Sequence, residues 1–218
     1  MSRPKVALLS TDRIADAALA LVDSGAPFGV NALARKLGVT PSSLYNHVDG
    51  KDAIIELMRA RVVADHMPTH VYKSWDHAVV EIMRQQRAMY AAHPALVPLI
   101  VGKTITDAHA IEHYDQLATA LVEAGFSNDE VLSLVAVLDA FAIGFGLDLT
   151  SPEAIWQPSG STHTLGKLIE NSAGGAARSD AAFELGLELL LGALHARLNG
   201  AASRTAQVTP AAGADSPD

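Results

Sequence analysis

Cysteine is absent from all 218 residues. That excludes a disulfide framework and a thiolate metal site, and it suits a reducing compartment. Charge is sparse as well, at 18% of residues against 49% apolar, so the chain can bury a substantial core. No window alternates with period two, and there is no Gly-x-Ser-x-Gly elbow or phosphate-binding glycine loop. Gly144-Phe145-Gly146 lacks the preceding strand and third glycine of a dinucleotide fingerprint. The most apolar stretch, Val131 to Leu147, carries Asp139 near its middle. A membrane span needs about twenty apolar residues, and a central carboxylate opposes insertion by roughly 2.5–3.5 kcal/mol. The stretch therefore reads as a buried helix. Only a brief apolar run, Val6 to Leu9, follows Met1-Ser2-Arg3-Pro4-Lys5, so no secretion signal is expected and the expected location is cytoplasmic.

Positive charge is the other shortage. The formal net charge is -8, but residues 1–66 hold eight Lys/Arg and seven Asp/Glu, whereas the remainder holds eight and seventeen. The acidity belongs to the C-terminal part, and the N-terminal part is nearly neutral. That permits a small nucleic-acid footprint without arguing for one.

Helical periodicity fills most of the chain. Ile14, Ala17, Ala18, Leu21 and Val22 fall on one face of a first helix, started by Ser10 to Asp12 and ended by Gly25 and Pro27. A second helix is expected over Asn31 to Leu37, a third over Pro41 to Val48, and a fourth from Lys51 to just before Pro68. Further helices are expected over 74–92, 94–101, 107–124, 128–148 and 179–198, with a short one at 164–170. The fold class is all-α. The domains expected are a helix-turn-helix unit over 1–50, a connecting helix over 51–67, a ligand-binding and dimerisation domain over 68–200, and a disordered tail over 201–218.

Residues 30–48 read as two helices crossing steeply. Leu33, Leu37, Val39, Leu44 and Val48 form their shared core, and Gly38 supplies the positive φ that ends the first of them. Thr40 can cap the second, with Pro41 at its first position. Such a second helix can enter a major groove with its N-terminal residues at base edges. Its expected exposed residues are Pro41, Ser42, Ser43, Tyr45, Asn46 and His47. Ser and Asn can bond to bases, while Tyr45, His47 and Lys51 can reach phosphates.

The string Leu37-Gly38-Val39, then Leu44-Tyr45, His47-Val48 and Lys51, together with Ile14, Ala17, Ala18, Leu21, Leu33 and Ala34, resembles the N-terminal domain of the TetR family of transcriptional repressors. The resemblance implies a homodimer on a pseudo-palindromic DNA operator, released by a small-molecule effector. It assigns Tyr45, His47 and Lys51 to the phosphate backbone, and Thr40, Pro41, Ser42, Ser43 and Asn46 to the groove. Gly29 stands where the family has a Ser or Thr cap, and Asn31 where it often has a basic DNA contact. Fewer phosphate contacts are therefore expected.

Ser74-Trp75 and the stretch from Asp115 to Ser127 resemble the tetracycline-repressor subclass. By that resemblance Gln116 stands at a ligand-contacting position. Ile100 takes the place of a magnesium-binding histidine, and Ile82 and Gln86 take those of other polar contacts. With His113 added, these residues make an expected ligand site for a moderately hydrophobic molecule, with no metal or cofactor. Ala136, Ala140 and Gly144 form a small-residue stripe, and Phe183 to Leu198 carries too many leucines for one buried face. Ala136, Ala140, Gly144, Leu187, Leu191 and Leu194 are the expected dimer interface. The competing readings are a metal-dependent hydrolase built on His109-Ala-Ile-Glu112-His113, which matches H-x-x-E-H, and a DNA binder without a ligand.

Overall fold

Ser10 accepts a hydrogen bond from the Arg13 amide and caps α1 (Thr11–Asp23). The computed structural model describes residues 9–68, 70–157, 164–170 and 172–208, apart from the side chains of 201–208. α2 (Val30–Leu37) ends at Gly38 with φ +70°, where the amide of Val39 returns to the Ala34 carbonyl at 3.0 Å. α3 (Pro41–Tyr45) is capped by Thr40 and is shorter than the sequence suggests. It ends early because the amides of His47 and Val48 both turn back to the Leu44 carbonyl, closing the last turn tightly. α4 (Gly50–His66) then crosses α1. Ile14, Ala18, Leu33, Leu44, Ile54 and Met58 are almost wholly buried between these four helices.

The remaining helices are α5 (Trp75–Ala92), α6 (Val97–Ile100), α7 (Ala108–Ala124), α8 (Asn128–Asp148), α9 (Thr164–Glu170) and α10 (Gly175–Val208). Asp107 and Ser127 cap α7 and α8 through the amides of Ala110 and Asp129. All regular structure among the described residues is helical. α10 starts before residue 179 and continues to Val208, so residues 201–208 are helical where a disordered tail was expected. Ala201, Ala202 and Ala206 favour helix, and neither glycine nor proline interrupts before Pro210. Residues 209–218 of that expected tail lie outside the described residues.

α5 and α8 share the most extensive helix contact among the described residues. Gly146 makes this possible: a Cβ there would stand 2.6 Å from Tyr90 Cβ and 3.1 Å from the Arg87 carbonyl oxygen. Gly144, singled out from the sequence, has open space on that side within the protomer. α8 is long and apolar enough to cross a membrane, and only 22% of its most apolar window is buried. It is thus less buried than expected, because a second apolar face is left uncovered by its own chain. Gly146→Ala should destabilise the protein by about 1–3 kcal/mol, measured as a lowered urea midpoint with an unchanged slope.

Candidate nucleic-acid interface and ligand chamber

The reader surface follows from the caps of α2 and α3. Thr40 Oγ1 accepts the Ser43 amide at 3.2 Å and lies 2.9 Å from Ser43 Oγ, so Ser43 is half-buried and its hydroxyl is engaged in the cap. Leu44 and Val48 point inward, which turns Pro41, Ser42, Tyr45, Asn46 and His47 outward. Tyr45 is 54% exposed, although its ring is large and apolar. Asn31, Thr40 and Lys51 are exposed on the same unit, and Lys51 Nζ stands 5.4 Å from the centre of the Phe28 ring. Every residue expected to touch DNA therefore reaches the surface, with Ser43 the least free.

α4 links this reader to a chamber. Its inward stripe of Ile55, Met58, Val62 and Val63 also carries Arg59, only 6% exposed. The Arg59 Nη2 donates to the Ile100 carbonyl at 3.2 Å, at the end of α6, and its Nε lies 3.1 Å from Glu56 Oε2. The other Glu56 oxygen accepts the backbone amides of Thr106 and Asp107 at 2.6 and 2.8 Å, just before α7. One ion pair, buried on its Arg59 side, thus ties α4 to both α6 and α7. A cation inside an apolar stripe was the sequence clue to this residue, and sequence reasoning missed it.

Arg59, Val63 and Met67 line a chamber of about 30 Å³ together with Gln86, Ile100 and His113. Beside it, Asp139 Oδ1 on α8 accepts from Tyr114 Oη at 3.0 Å, Tyr90 Oη at 3.3 Å and Gln86 Nε2 at 3.4 Å. Burial lifts Asp139 above the usual carboxylate range, against the opposing pull of the two tyrosines and Arg59. Burial also raises both tyrosines and pushes His113 down to about 4, so His113 is neutral at pH 7. Gln86 Oε1 and His113 Nε2 are buried with no hydrogen-bond partner among the described residues.

The expected ligand residues divide. Gln86, Ile100 and His113 line the chamber, whereas Gln116 lines a larger groove on the outer side of α7. Ile82 is fully buried in the packed core and lines neither the chamber, the side pocket nor the outer groove. Its neighbours on the inner face of α5, Val79 and Met83, are fully buried too. His109, Glu112 and His113 line one side pocket of about 190 Å³. No group of three or more potential ligands that could hold a metal occurs among the described residues.

The expected dimer residues divide too. Ala136, Ala140 and Gly144 are exposed on α8, but Leu187 and Leu194 are only 2% and 6% exposed and belong to their own protomer's core. The reason is helical period: Phe183, Leu187 and Leu194 share the inward face of α10, and Leu191 is half-buried at its edge. The outward face shows Leu185 and Leu189 at 57% and 65% exposure, beside Leu132 at 78% and Val137 at 52% on α8. Spacing from Phe183 could have identified this face.

A two-helix reader carried on a helix that also walls an enclosed chamber defines a helix-turn-helix transcriptional regulator. Residues 67–198 match the family described as Tetracyclin repressor-like, C-terminal domain. A helix-turn-helix-type transcriptional regulator of Saccharopolyspora erythraea is 27% identical over 167 residues, covering 75% of this chain and 69% of its own. The class E tetracycline repressor protein of Escherichia coli is 26% identical over 204 residues, covering 89% and 94%. The crystal structure of apo ActR from Streptomyces coelicolor superimposes with a TM-score of 0.73 at 24% identity, covering 90% of this chain and 99% of that one. The chain belongs to the tetracycline-repressor-like family of transcriptional regulators.

Two predictions concern the chamber. His113 has a folded pKa of about 4 against 6.5 for the free side chain. The unfolded chain therefore binds the extra proton between these values, and stability present above pH 6.5 falls away toward pH 4 by up to about 3 kcal/mol. Urea denaturation across that range should show this loss, and His113→Gln should flatten it. Asp139→Asn keeps an oxygen for the three donors and cannot ionise, so it should leave stability unchanged or raised at pH 7. Asp139→Leu strands those donors and should cost at least about 2 kcal/mol, read in the same denaturation experiment.

Proposed function

We propose that this regulator is a homodimeric repressor, bound to a pseudo-palindromic operator and released when a small molecule enters the α4–α8 chamber. The carrying observation is that α4 belongs to both parts. Ile54 and Met58 are buried at the level of the reader core, and Arg59, Val63 and Met67 line the chamber one to two turns further on. A ligand that separates α4 from α6 and α7 must move the reader, because packed interiors do not absorb displacement. The similarity to a tetracycline repressor supports small-molecule release.

The uncovered apolar faces of α8 and α10 support a dimer, with Leu132, Val137, Leu185 and Leu189 joining Ala136, Ala140 and Gly144 against the same residues of a second copy. Covering that face also accounts for an apolar α8 in a cytoplasmic protein. The reading assigns no catalysis and no cofactor to His109, Glu112 and His113, which line the side pocket. In DNA contact, Tyr45, His47 and Lys51 hold phosphates, while Ser42 and Asn46 read bases, with Asn31, Thr40, Pro41 and Ser43 at the groove edge.

The test is selection of bound duplexes from a random pool, followed by operator binding across salt concentrations and a compound screen for release. A palindromic consensus is expected, and a monomer on a single half-site would refute the dimer. Tyr45→Ala should weaken binding to all sequences alike and leave the salt slope unchanged, because a neutral hydroxyl on a phosphate releases no counterion. Asn46→Ala should instead lose about 1–3 kcal/mol at one base position and relax the preference there. Equal losses on every duplex from both variants would refute this division of roles.

A further inference from the structure

Three cavities lie end to end along α7. The outermost is a groove of about 550 Å³ between residues 70–75 and α7. It shares Gln116 with the side pocket of about 190 Å³, which in turn shares Met67 and His113 with the inner chamber. The groove alone has the size of a small-molecule site, and the three together make an elongated route from the surface to the α4 wall.

The lining specifies what can occupy this route. Tyr72 and Trp75 furnish aromatic surface, and Trp75 is held against the rings of His195 and Phe126 at 4.7 and 5.7 Å. Asp115 and Glu123 stand in the groove and Glu112 in the side pocket, against Lys73 and His70 in the groove. Along the route Tyr72 Oη, Gln116 Oε1 and His113 Nε2 are buried with no hydrogen-bond partner among the described residues. His113 is only 5% exposed. An amide oxygen can only accept, so Gln116 requires a donor. Aromatic faces beside carboxylates favour a cation, and the same carboxylates repel an anion. Further in, Met67, Val63, Met89 and Ile100 offer apolar contact beside the polar groups of Arg59 and Gln86.

We propose that the effector is an elongated organic amine. Its ammonium group lies in the outer groove near Asp115 and Glu123, against Tyr72 and Trp75, and donates to Gln116 Oε1. Its apolar body passes His113 and Met67 into the chamber and widens it. This inference rests on the ligand-release reading above and supplies its chemistry.

The test uses three probes of one shape: 4-phenylbutylamine, 4-phenylbutan-1-ol and 4-phenylbutanoate. The chain has two tryptophans, so Trp156→Phe in the full-length protein leaves Trp75 as the sole reporter. Each probe is titrated against Trp75 emission, and in parallel against operator binding. The amine should bind about tenfold tighter than the alcohol, with the carboxylate weakest. In the double variant Asp115→Asn, Glu123→Gln, which alters two exposed side chains, the amine should fall to within about twofold of the alcohol. Equal affinity for the three probes, preference for the carboxylate, an amine preference that survives the double variant, or no Trp75 response to the amine would each overturn the proposal. Amine binding that leaves operator affinity unchanged would uphold this site and refute ligand release. Release by the alcohol or carboxylate without preference for the amine would refute the amine and leave ligand release standing.

Discussion

Arg59 reaches the Ile100 carbonyl at 3.2 Å and the Glu56 carboxylate at 3.1 Å from within the apolar stripe of α4. A guanidinium so buried must stay paired, since stripping a partner from a buried charge costs about 3–5 kcal/mol. Because Glu56 also receives the amides that precede α7, the pair fixes three helices relative to one another. Four residues before Arg59, Ile55 is already buried at the level of the reader. In the proposed dimer, the distance between the two readers would then be set by the same helix that walls the chamber. No separate transmitting element is required.

Opposite α4, the chamber is closed by a second polar node. Asp139 on α8 gathers Gln86 and Tyr90 from α5 and Tyr114 from α7, and its burial favours the protonated form. Three donors converging on one oxygen hold these helices in register where Gly146 lets α5 and α8 approach. The node leaves Gln86 Oε1 unsatisfied, and His113 Nε2 is in the same condition across the chamber. Buried orphan polar atoms are costly in an empty interior. Their presence on cavity walls gives a ligand with donor groups something that water-excluding apolar walls could not.

Much of the reader was legible because local chemistry dictates it. Gly38 must take a positive φ, Thr40 and Pro41 suit the start of α3, and Leu33, Leu44 and Val48 can only face inward. The ligand-facing half was harder to read. A row of leucines in α10 announces an excess of apolar surface without saying which leucines face which way. The inward face was decided by Phe183, so Leu187 and Leu194 went to the core and Leu185 and Leu189 to the outside. Ile82 and Gln116 show the same difficulty: position within a resemblance does not fix whether a side chain meets a cavity or packed core. Glu56 and Arg59 stand three residues apart on α4, but the Ile100 carbonyl and the amides before α7 that they hold lie more than forty positions away, and the node at Asp139 joins residues of three helices. No local pattern encodes those.

The closed chamber and the weakly charged reader bear on one another. At about 30 Å³ the chamber holds little more than a water molecule, so any ligand must select a wider arrangement of α4 against α6 and α7. It shifts that equilibrium only by its preference for the wider state, typically about 1–3 kcal/mol, or 5–150-fold in operator affinity. For a strongly basic reader such a factor could leave considerable occupancy through phosphate contacts alone. Here residues 1–66 carry almost no net charge, and Asn31 contributes none on the reader surface. The sequence-independent part of the affinity is correspondingly small. On the ligand-release reading, a modest coupling through one helix then acts on a binding energy in which sequence-independent phosphate contacts have little share.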